Sequence, residues 1–439
     1  MDTVGVSGTL IEVNEGGLVR VKGPALFVVA QGLLYGLGIE FKAGCKVKVP
    51  KGRVIVFKAL KNTVIKGMVG DGGELGVADP SEEVLDRWIN LVNRILNVVK
   101  QRLKKNERTK ILVLGPVDSG KTTITTFILN AALRQGLRVS VLDLDVGQAD
   151  IGPPTTIALA SPDKPVLSLR DLTPDSLSFI GTIAPEGYEW RIISSALKLC
   201  FEAEGKTDLI LINTDGWVTG FKAVCYKINL VRTLRPQIII VMLKDSSLRG
   251  LVSSLRKLQE TMEIIEAPTP PAIHRRSREE RRYLRAQNYY HYFKDSKIRV
   301  ISLADVLLLD TPLLGGYRLP MEMLESLGDN KILHAELHGN RLLLVTEKKC
   351  STICSLNSII EKIKKDYGVE KVKILSKGYF TGLLVGLLDE KFVERGLGLI
   401  QDFNFMENVI KIKTSYRGPV KGIMFSRIRL KEDYTESIS

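Results

Sequence analysis

Gly115, Gly120, Lys121 and Thr122 occupy the fixed positions of G-x-x-x-x-G-K-[ST] in Gly115-Pro-Val-Asp-Ser-Gly-Lys-Thr122. The chemistry open to such residues is capture of a triphosphate with its cation. Glycines let successive backbone N–H groups turn toward one anion, a lysine ammonium lies along the β- and γ-phosphates, and a threonine hydroxyl ligates Mg²⁺. On this reading Gly115, Asp118, Ser119, Gly120, Lys121, Thr122 and Thr123 line a nucleotide. A second group follows in Val141-Leu-Asp-Leu-Asp145-Val-Gly-Gln148, where Asp143 and Asp145 stand two apart and share one face of a strand. A carboxylate there can position a metal or take the proton of an attacking hydroxyl; the bland alternative is a solvated strand end or a helix cap. Asn213-Thr-Asp-Gly-Trp217 supplies an aromatic. It can stack a nucleobase, worth ~1–3 kcal/mol per base, or equally pack its own core. The fourth group is His274–Arg285, with six arginines in twelve residues. If residues 276–288 are helical, Arg278, Arg281, Arg282 and Arg285 form one stripe. Behind the turn Ala267-Pro-Thr-Pro-Pro271 such a segment reads as a flap whose arginines neutralise a transferring phosphoryl group. The alternative is a solvated face paired with Glu279 and Glu280.

These side chains need elements that aim them at one place. Ile111–Leu114 is a short apolar run suited to a buried strand, and the stretch from Thr122 reads as a helix with Ile124, Phe127, Ile128 and Ala131 on one face. Candidate strands Ile111–Leu114, Val139–Leu144, Leu209–Asn213, Ile238–Leu243 and Ile298–Ser302 alternate with helical segments. The pattern predicts an α/β fold, a central P-loop parallel sheet with helices on both faces, whose strand ends open on a common crevice. Residues 1–78 read as a small N-terminal all-β domain of short alternating runs punctuated by Gly and Pro. The P-loop domain then covers 79–312, with a leading helix over 80–100 begun by Asp79-Pro-Ser-Glu82 as a capping box, and an Arg-rich lid at about 272–290. Residues 313–439 form a C-terminal β-rich domain with one amphipathic helix, Ser355–Tyr367.

A chain of 439 residues exceeds one ordinary core, and 44% hydrophobic with 26% charged residues is a globular composition. Net charge of +14 favours a polyanionic partner, nucleic acid being the usual one. The start, Met1-Asp-Thr-Val-Gly-Val-Ser, has no basic segment before an apolar one, and no stretch reaches eighteen apolar residues, so neither a signal peptide nor a membrane partner is expected. Five cysteines and a triphosphate site suit a reducing, cytoplasmic compartment, and Cys350 and Cys354 lack a second pair for a metal site. A GTPase would carry Asn-Lys-x-Asp near Met242-Leu-Lys-Asp245, where that spacing is missing.

The succession 115–123, Asp-Leu-Asp-Val-Gly-Gln (143–148), Asn-Thr-Asp-Gly-Trp (213–217) and Arg-Ser-Arg-Glu-Glu-Arg (276–281) resembles the polynucleotide 5′-hydroxyl kinase family of RNA processing. The likeness covers nearly the whole chain, with Gly382-Leu-Leu-Val-Gly-Leu and Val420-Lys-Gly-Ile similar to its C-terminal segments. It implies ATP and Mg²⁺ as cofactors and the 5′-hydroxyl end of RNA as acceptor, with DNA as the other polynucleotide and RNA-processing proteins as partners. It also implies that Lys121 meets the γ-phosphate, Thr122 holds Mg²⁺ with Gln148 and Asp143 nearby, and Asp145 takes the 5′-hydroxyl proton. Trp217 would stack on the acceptor base with Thr214 beside it, and Arg276 and Arg281 would be the lid arginines. The family's Gly-x-Thr-x-Pro clasp is altered here: Gly181-Thr-Ile-Ala-Pro185 puts Ile183 at the hydroxyl position, leaving neighbouring Thr182 as a substitute. An ATP-binding scaffold with weak or no activity is the alternative from another class.

Overall fold

The computed structural model describes residues 8–80, 84–243, 248–258, 262–270, 276–313, 315–320, 331–349 and 357–438. They divide into two compact units, one of residues 1–176 and 183–281, the other of 177–182 and 282–439.

In the first unit the N-terminal strands are β1 (Thr9–Val13), β2 (Leu18–Lys22), β3 (Ala25–Gly36), β4 (Ile39–Lys42), β5 (Lys46–Val49), β6 (Val54–Val69) and β7 (Glu74–Ala78). They pair antiparallel around the long β6, which meets β1, β2 and β3. Alternation along each strand sends Val19, Val21, Phe27, Val47, Phe57 and Ile65 inward, with Phe27 and Phe41 edge-on to Phe57 at 5.4 Å.

Next come α1 (Leu85–Lys104), β8 (Thr109–Leu114), α2 (Lys121–Arg134), β9 (Val139–Asp143) and β10 (Thr156–Ala160), while β11 (Ser176–Phe179) has all but Ser176 in the second unit. The chain continues with α3 (Glu189–Ala203), β12 (Leu209–Asn213), α4 (Phe221–Leu234), β13 (Ile238–Leu243), α5 (Arg249–Arg256) and β14 (Glu263–Pro268). The sheet runs β10-β9-β12-β8-β13-β14, parallel throughout except for β10. Its central strands carry the apolar runs Ile111–Leu114, Val141–Leu142 and Leu209–Ile212, as burial on both faces requires, and β9 and β12 end in Asp143 and Asn213. One row of helices is α1 on α2, the other α3-α4-α5, which is what right-handed crossovers over this strand order produce. Helix α1 presents Leu85, Trp88, Val92, Ile95 and Val99 at helical spacing, and the Trp88 indole donates to Pro268 O at 2.9 Å. Ser81 and Glu82 of the expected capping box lie outside the described residues. The β domain is seated on the P-loop domain through Asn130 of α2, whose amide donates to Leu37 O and Val166 O at 2.8 Å each.

Helix α6 (Arg278–Phe293) crosses the boundary between the units at Arg281. The second unit then contains β15 (Lys297–Ser302), β16 (Leu307–Leu309), β17 (Tyr317–Arg318), β18 (Ile332–His338), β19 (Arg341–Thr346), α7 (Asn357–Tyr367) and β20 (Lys371–Ser376). It ends with β21 (Leu383–Leu388), β22 (Glu394–Asn404), β23 (Val409–Thr414), β24 (Gly422–Leu430) and β25 (Glu436–Ile438). One sheet is β15-β23-β22-β21-β24-β16 with β25 on β24, the other β17-β18-β19-β20 beside α7. This corrects one expectation. The strand at Ile298–Ser302 is not part of the parallel sheet: it pairs antiparallel with β23, Lys297 opposite Thr414. Its exposed Ile298 and Val300 against buried Ile301 show a half-covered strand, not one buried on both faces. Cys350 and Cys354 lie outside the described residues, as do Ser355 and its neighbour at the start of the expected C-terminal helix. Among the described residues no helix is long and apolar enough to cross a membrane.

Candidate active site

Strand β8 delivers its fully buried Ile111–Leu114 to the loop, and α2 begins at Lys121. Gly120 turns the corner at φ +94°, where a side chain is strained, and so brings the unpaired first-turn amides of α2 to the loop. Lys121 is 7% exposed, and its ammonium donates to Pro116 O at 2.8 Å. Burial pulls its pKa down to about 8, against the opposing pull of the Asp145 and Asp215 carboxylates. The Ser119 hydroxyl is buried without a hydrogen-bond partner among the described residues. Thr122 and Thr123 follow in the first turn of α2.

Asp143 ends β9, and its carboxylate is fully engaged. One oxygen accepts from Asn213 Nδ2 at 3.0 Å and Asp145 N at 3.3 Å, the other from Asp150 N at 2.7 Å and Ile151 N at 3.1 Å. It thereby stitches the 145–151 loop to β9 and β12. Burial, then Asp150 and Asp145, push its pKa up. Asp145 Oδ1 accepts from Gly147 N at 3.1 Å and Gln148 N at 2.8 Å, and burial, then Asp215, raise its pKa too. A Cβ on Gly147 would sit 2.5 Å from Ile183 O, so the clasp segment presses its main chain against the acidic loop at a point only glycine allows. Gln148 Oε1 and Asn213 Oδ1 are buried acceptors with no partner among the described residues.

On the next strand end Asp215 is a hub. Its Oδ1 accepts from Trp217 N at 2.9 Å, and its Oδ2 from Lys227 Nζ at 2.6 Å and Tyr226 OH at 3.1 Å. Trp217, half-buried, stacks one face on Tyr226 at 6.0 Å and 30°. Thr214 is fully buried and donates to Val113 O at 2.7 Å, so its hydroxyl ties this loop to β8. Lys227 is wholly buried, and its ion pair with Asp215 is the kind whose half-removal is costly. Lys227→Met is expected to lose about 3–5 kcal/mol of stability and to regain most of it on addition of Asp215→Asn, measured by denaturant unfolding. A loss under about 1 kcal/mol in the single variant would exclude this role for the pair.

Arg276 and Arg281, at the start of α6, reach the loop through Asp118, a non-glycine residue at φ +56°. Its Oδ2 accepts from Arg281 Nη2 at 3.1 Å and from Arg276 N at 3.3 Å. Ser277 and Glu280 cap α6 reciprocally, Ser277 N to Glu280 Oε2 at 2.7 Å and Glu280 N to Ser277 Oγ at 3.0 Å. The expected arginine stripe is divided: Arg278 is exposed, Arg281 faces the loop, and Arg282 and Arg285 bind Glu436 within the second unit. Residues 271–275 lie outside the described residues, and Thr182 belongs to the second unit.

A P-loop lysine, an acidic strand end and a lid arginine clamped on the loop thus meet in one unit. The profile of the mRNA cleavage and polyadenylation factor CLP1 P-loop matches residues 115–295. A polyribonucleotide 5′-hydroxyl-kinase of Pyrococcus abyssi is 31% identical over 350 residues, 78% of this chain and 94% of the relative. Its counterpart in Methanocaldococcus jannaschii is 32% identical over 336 residues, 74% of this chain and 88% of the relative. The chain belongs to the polyribonucleotide 5′-hydroxyl-kinase family. A CLP1 homologue of Nematostella vectensis is 26% identical over 291 residues, 60% of this chain and 65% of the relative. The Clp1p chain of a Clp1p–Pcf11p complex shares the fold, with a TM-score of 0.64 at 10% identity, over 97% of this chain and 98% of that one.

Within this family member, reading of motifs did not reach Lys227 or Tyr226, nor Arg53, Arg170 and Asp150 beside the lid. Lys227 had a signal: it sits on the stripe Ala223, Tyr226, Leu230, Val231, Leu234 that α4 buries. Arg53 had none, since it joins the site from another sheet.

Proposed function

We infer that this chain transfers the γ-phosphate of ATP to the 5′-hydroxyl end of RNA. The observation that carries the reading is the approach of Lys121 and Asp145, each within the other's electrostatic field, beside a loop already clamped by Arg281 through Asp118. In this reading Lys121 draws charge from the γ-phosphate, and Asp145 accepts the 5′-hydroxyl proton as the new P–O bond forms and the bond from the γ-phosphorus to the bridging oxygen breaks, releasing ADP. Arg276 and Arg281 hold the charge that develops on the phosphoryl oxygens. Trp217, backed by Tyr226, offers its other side to the first base. Support for ATP comes from the P-loop family and from a Clp1p structure described as explaining ATP loss in a glycine-to-arginine mutant.

The residues fit a hard divalent cation such as Mg²⁺. Among the described residues Gln148 Oε1 and Asn213 Oδ1 are unpartnered buried oxygens beside the acidic loop, and Thr122 opens α2. Of the three expected ligands, Thr122 and Gln148 suit direct or water-mediated contact, while Asp143, its oxygens taken by four N–H groups, holds the loop. When bound, Mg²⁺ neutralises β- and γ-phosphate oxygens.

The test is transfer of label from γ-labelled ATP to matched RNA and DNA oligonucleotides bearing 5′-hydroxyl or 5′-phosphate ends. Label only on 5′-hydroxyl ends, with RNA preferred, is expected. ADP release that ignores the oligonucleotide would point to an idle ATPase. A scaffold role gains some support from Clp1p, described in complex with Pcf11p, and would show as binding of partners without label transfer.

A further inference from the structure

Beside the lid, three arginines from three separate segments face one carboxylate. Arg53, in the turn before β6, donates through Nη2 to Asp150 Oδ1 at 2.9 Å and to Ser168 Oγ at 2.8 Å. Arg170, on a 3₁₀ turn whose Ser168 and Asp171 form a capping box, donates through Nε to the same Asp150 oxygen at 2.7 Å. Arg276 places its guanidinium against the Gly52 carbonyl at 3.0 Å while its backbone N–H holds Asp118 of the P-loop. All four side chains are largely shielded: Arg53 is 14%, Arg170 23% and Asp150 8% exposed, and Arg276 is half-buried.

The charges do not cancel. Arg53 and Arg170 share the single Asp150 carboxylate, while the Arg276 guanidinium bonds the neutral Gly52 carbonyl and feels Asp150 and Asp118 only through their field. Burial lowers the pKa of Arg276, and repulsion from Arg53 and then Arg170 adds to it. Two of the neighbours that restrain these arginines, Gly52 O and Ser168 Oγ, are neutral acceptors that fix orientation without removing charge. Among the described residues the buried Arg53 Nε has no acceptor. A partly dehydrated excess of cation, held in fixed forks with an unused donor, is stabilised by an anion of matching geometry, and phosphate is the anion that guanidinium forks fit best. The Arg276 backbone contact puts this cluster next to the triphosphate loop, yet none of its side chains is part of the loop.

We propose that Arg53, Arg170 and Arg276 form a second phosphate-binding subsite, distinct from the Lys121 position, in which Asp150 holds the forks in place until a phosphate takes them. The chemistry is a phosphate oxygen pair on a bound polyanion. It comes either from the nucleotide, as its α- or β-phosphate, or from the acceptor strand, as its first internucleotide phosphodiester. The acceptor source rests on the proposed kinase reaction; the nucleotide source does not.

Three full-chain variants, Arg53→Met, Arg170→Met and Asp150→Asn, separate the possibilities. Affinity for ATP is measured by calorimetry without RNA. Affinity for a 5′-hydroxyl RNA oligonucleotide is measured with its first linkage either native or replaced by an uncharged methylphosphonate. Loss of one fork is expected to weaken one ligand about 10–100-fold. If ATP weakens while RNA affinity stays, the nucleotide is the source. If ATP is unchanged, and the wild type distinguishes native from methylphosphonate RNA while Arg170→Met does not, the source is the acceptor strand. Asp150→Asn keeps the shape but removes the competing charge, so it is expected to tighten the same ligand several-fold. Arginines that merely anchor the 150 loop predict the opposite sign. The proposal is overturned if both arginine variants bind both ligands as the wild type does, or if Asp150→Asn weakens binding as they do. Should Arg170→Met melt early, Arg170→Lys, which keeps charge but loses the fork, is expected to retain part of the affinity. Failure of the wild type to label 5′-hydroxyl ends would remove the kinase reading and the acceptor source, and would leave the ATP measurement as a direct test of the cluster.

Discussion

Lys121→Met is expected to lower turnover in the 5′-hydroxyl labelling assay by about 10²–10³-fold while leaving the protein at least as stable as the wild type. The activity loss follows from position: the ammonium is the buried cation of the P-loop, and removal of one preorganised donor from developing phosphoryl charge has that size of effect. The stability half follows from linkage. The folded pKa of Lys121, about 8, lies below its ordinary 10.5, so the unfolded chain holds that proton more tightly. Folding at neutral pH therefore carries an opposing term of about 3 kcal/mol, fully present below pH 8 and fading as pH rises toward 10.5. Methionine fills much of the same volume with no charge to bury. A triphosphate bound at the loop raises the lysine pKa again, so added ATP should stabilise the wild type more than the variant. Retained label transfer would overturn the assigned role. A variant that melts well below the wild type would mean that its inactivity reports unfolding.

The parts of this site readable from the chain alone are those in which spacing and chemistry are local. Lys121 and Thr122 are set by a loop whose glycines must stand where they do, and Asp145 by an apolar strand that ends in acids. The arginine register was also within reach. Ser277 and Glu280 form an S-x-x-E cap, which starts the helix at Arg278 and separates Arg276 and Arg281 from the arginines that serve Glu436. What could not be read is what only tertiary pairing decides. Ile298–Ser302 has the apolar character of a sheet strand, but its partner lies more than a hundred residues on, at Val409–Thr414. Arg53 stands 97 residues from Asp150, in a turn of ordinary composition, and nothing within its own segment distinguishes it from any solvated arginine. Trp217 could serve core or ligand; the structure gives one face to Tyr226, which leaves the choice to the other face.

Asp145→Asn is expected to lower turnover by about 10²–10⁴-fold and to remove the acid limb of the pH profile. Asparagine keeps an Oδ1 that can accept from Gly147 N and Gln148 N, so the loop geometry is retained while the basic oxygen is lost. Burial and the neighbouring Asp215 raise the Asp145 pKa above the usual carboxylate range, which makes its anion a stronger base for a hydroxyl proton than an exposed aspartate would be. In kcat/KM, which reports the free enzyme, activity should rise as pH passes that raised value and fall again near pH 8 as Lys121 loses its proton. The two limbs belong to different residues and can be removed separately: Asp145→Asn should flatten the acid side of the residual activity and keep the alkaline side. Stability runs the other way from activity. A carboxyl whose folded pKa is raised contributes to stability below its unfolded pKa, and that contribution is lost as pH rises through the folded value. At neutral pH the wild type therefore holds an unfavourable buried anion that the variant lacks, and Asp145→Asn should melt no lower. Unchanged labelling, or an acid limb that persists in the variant, would assign the proton to another group.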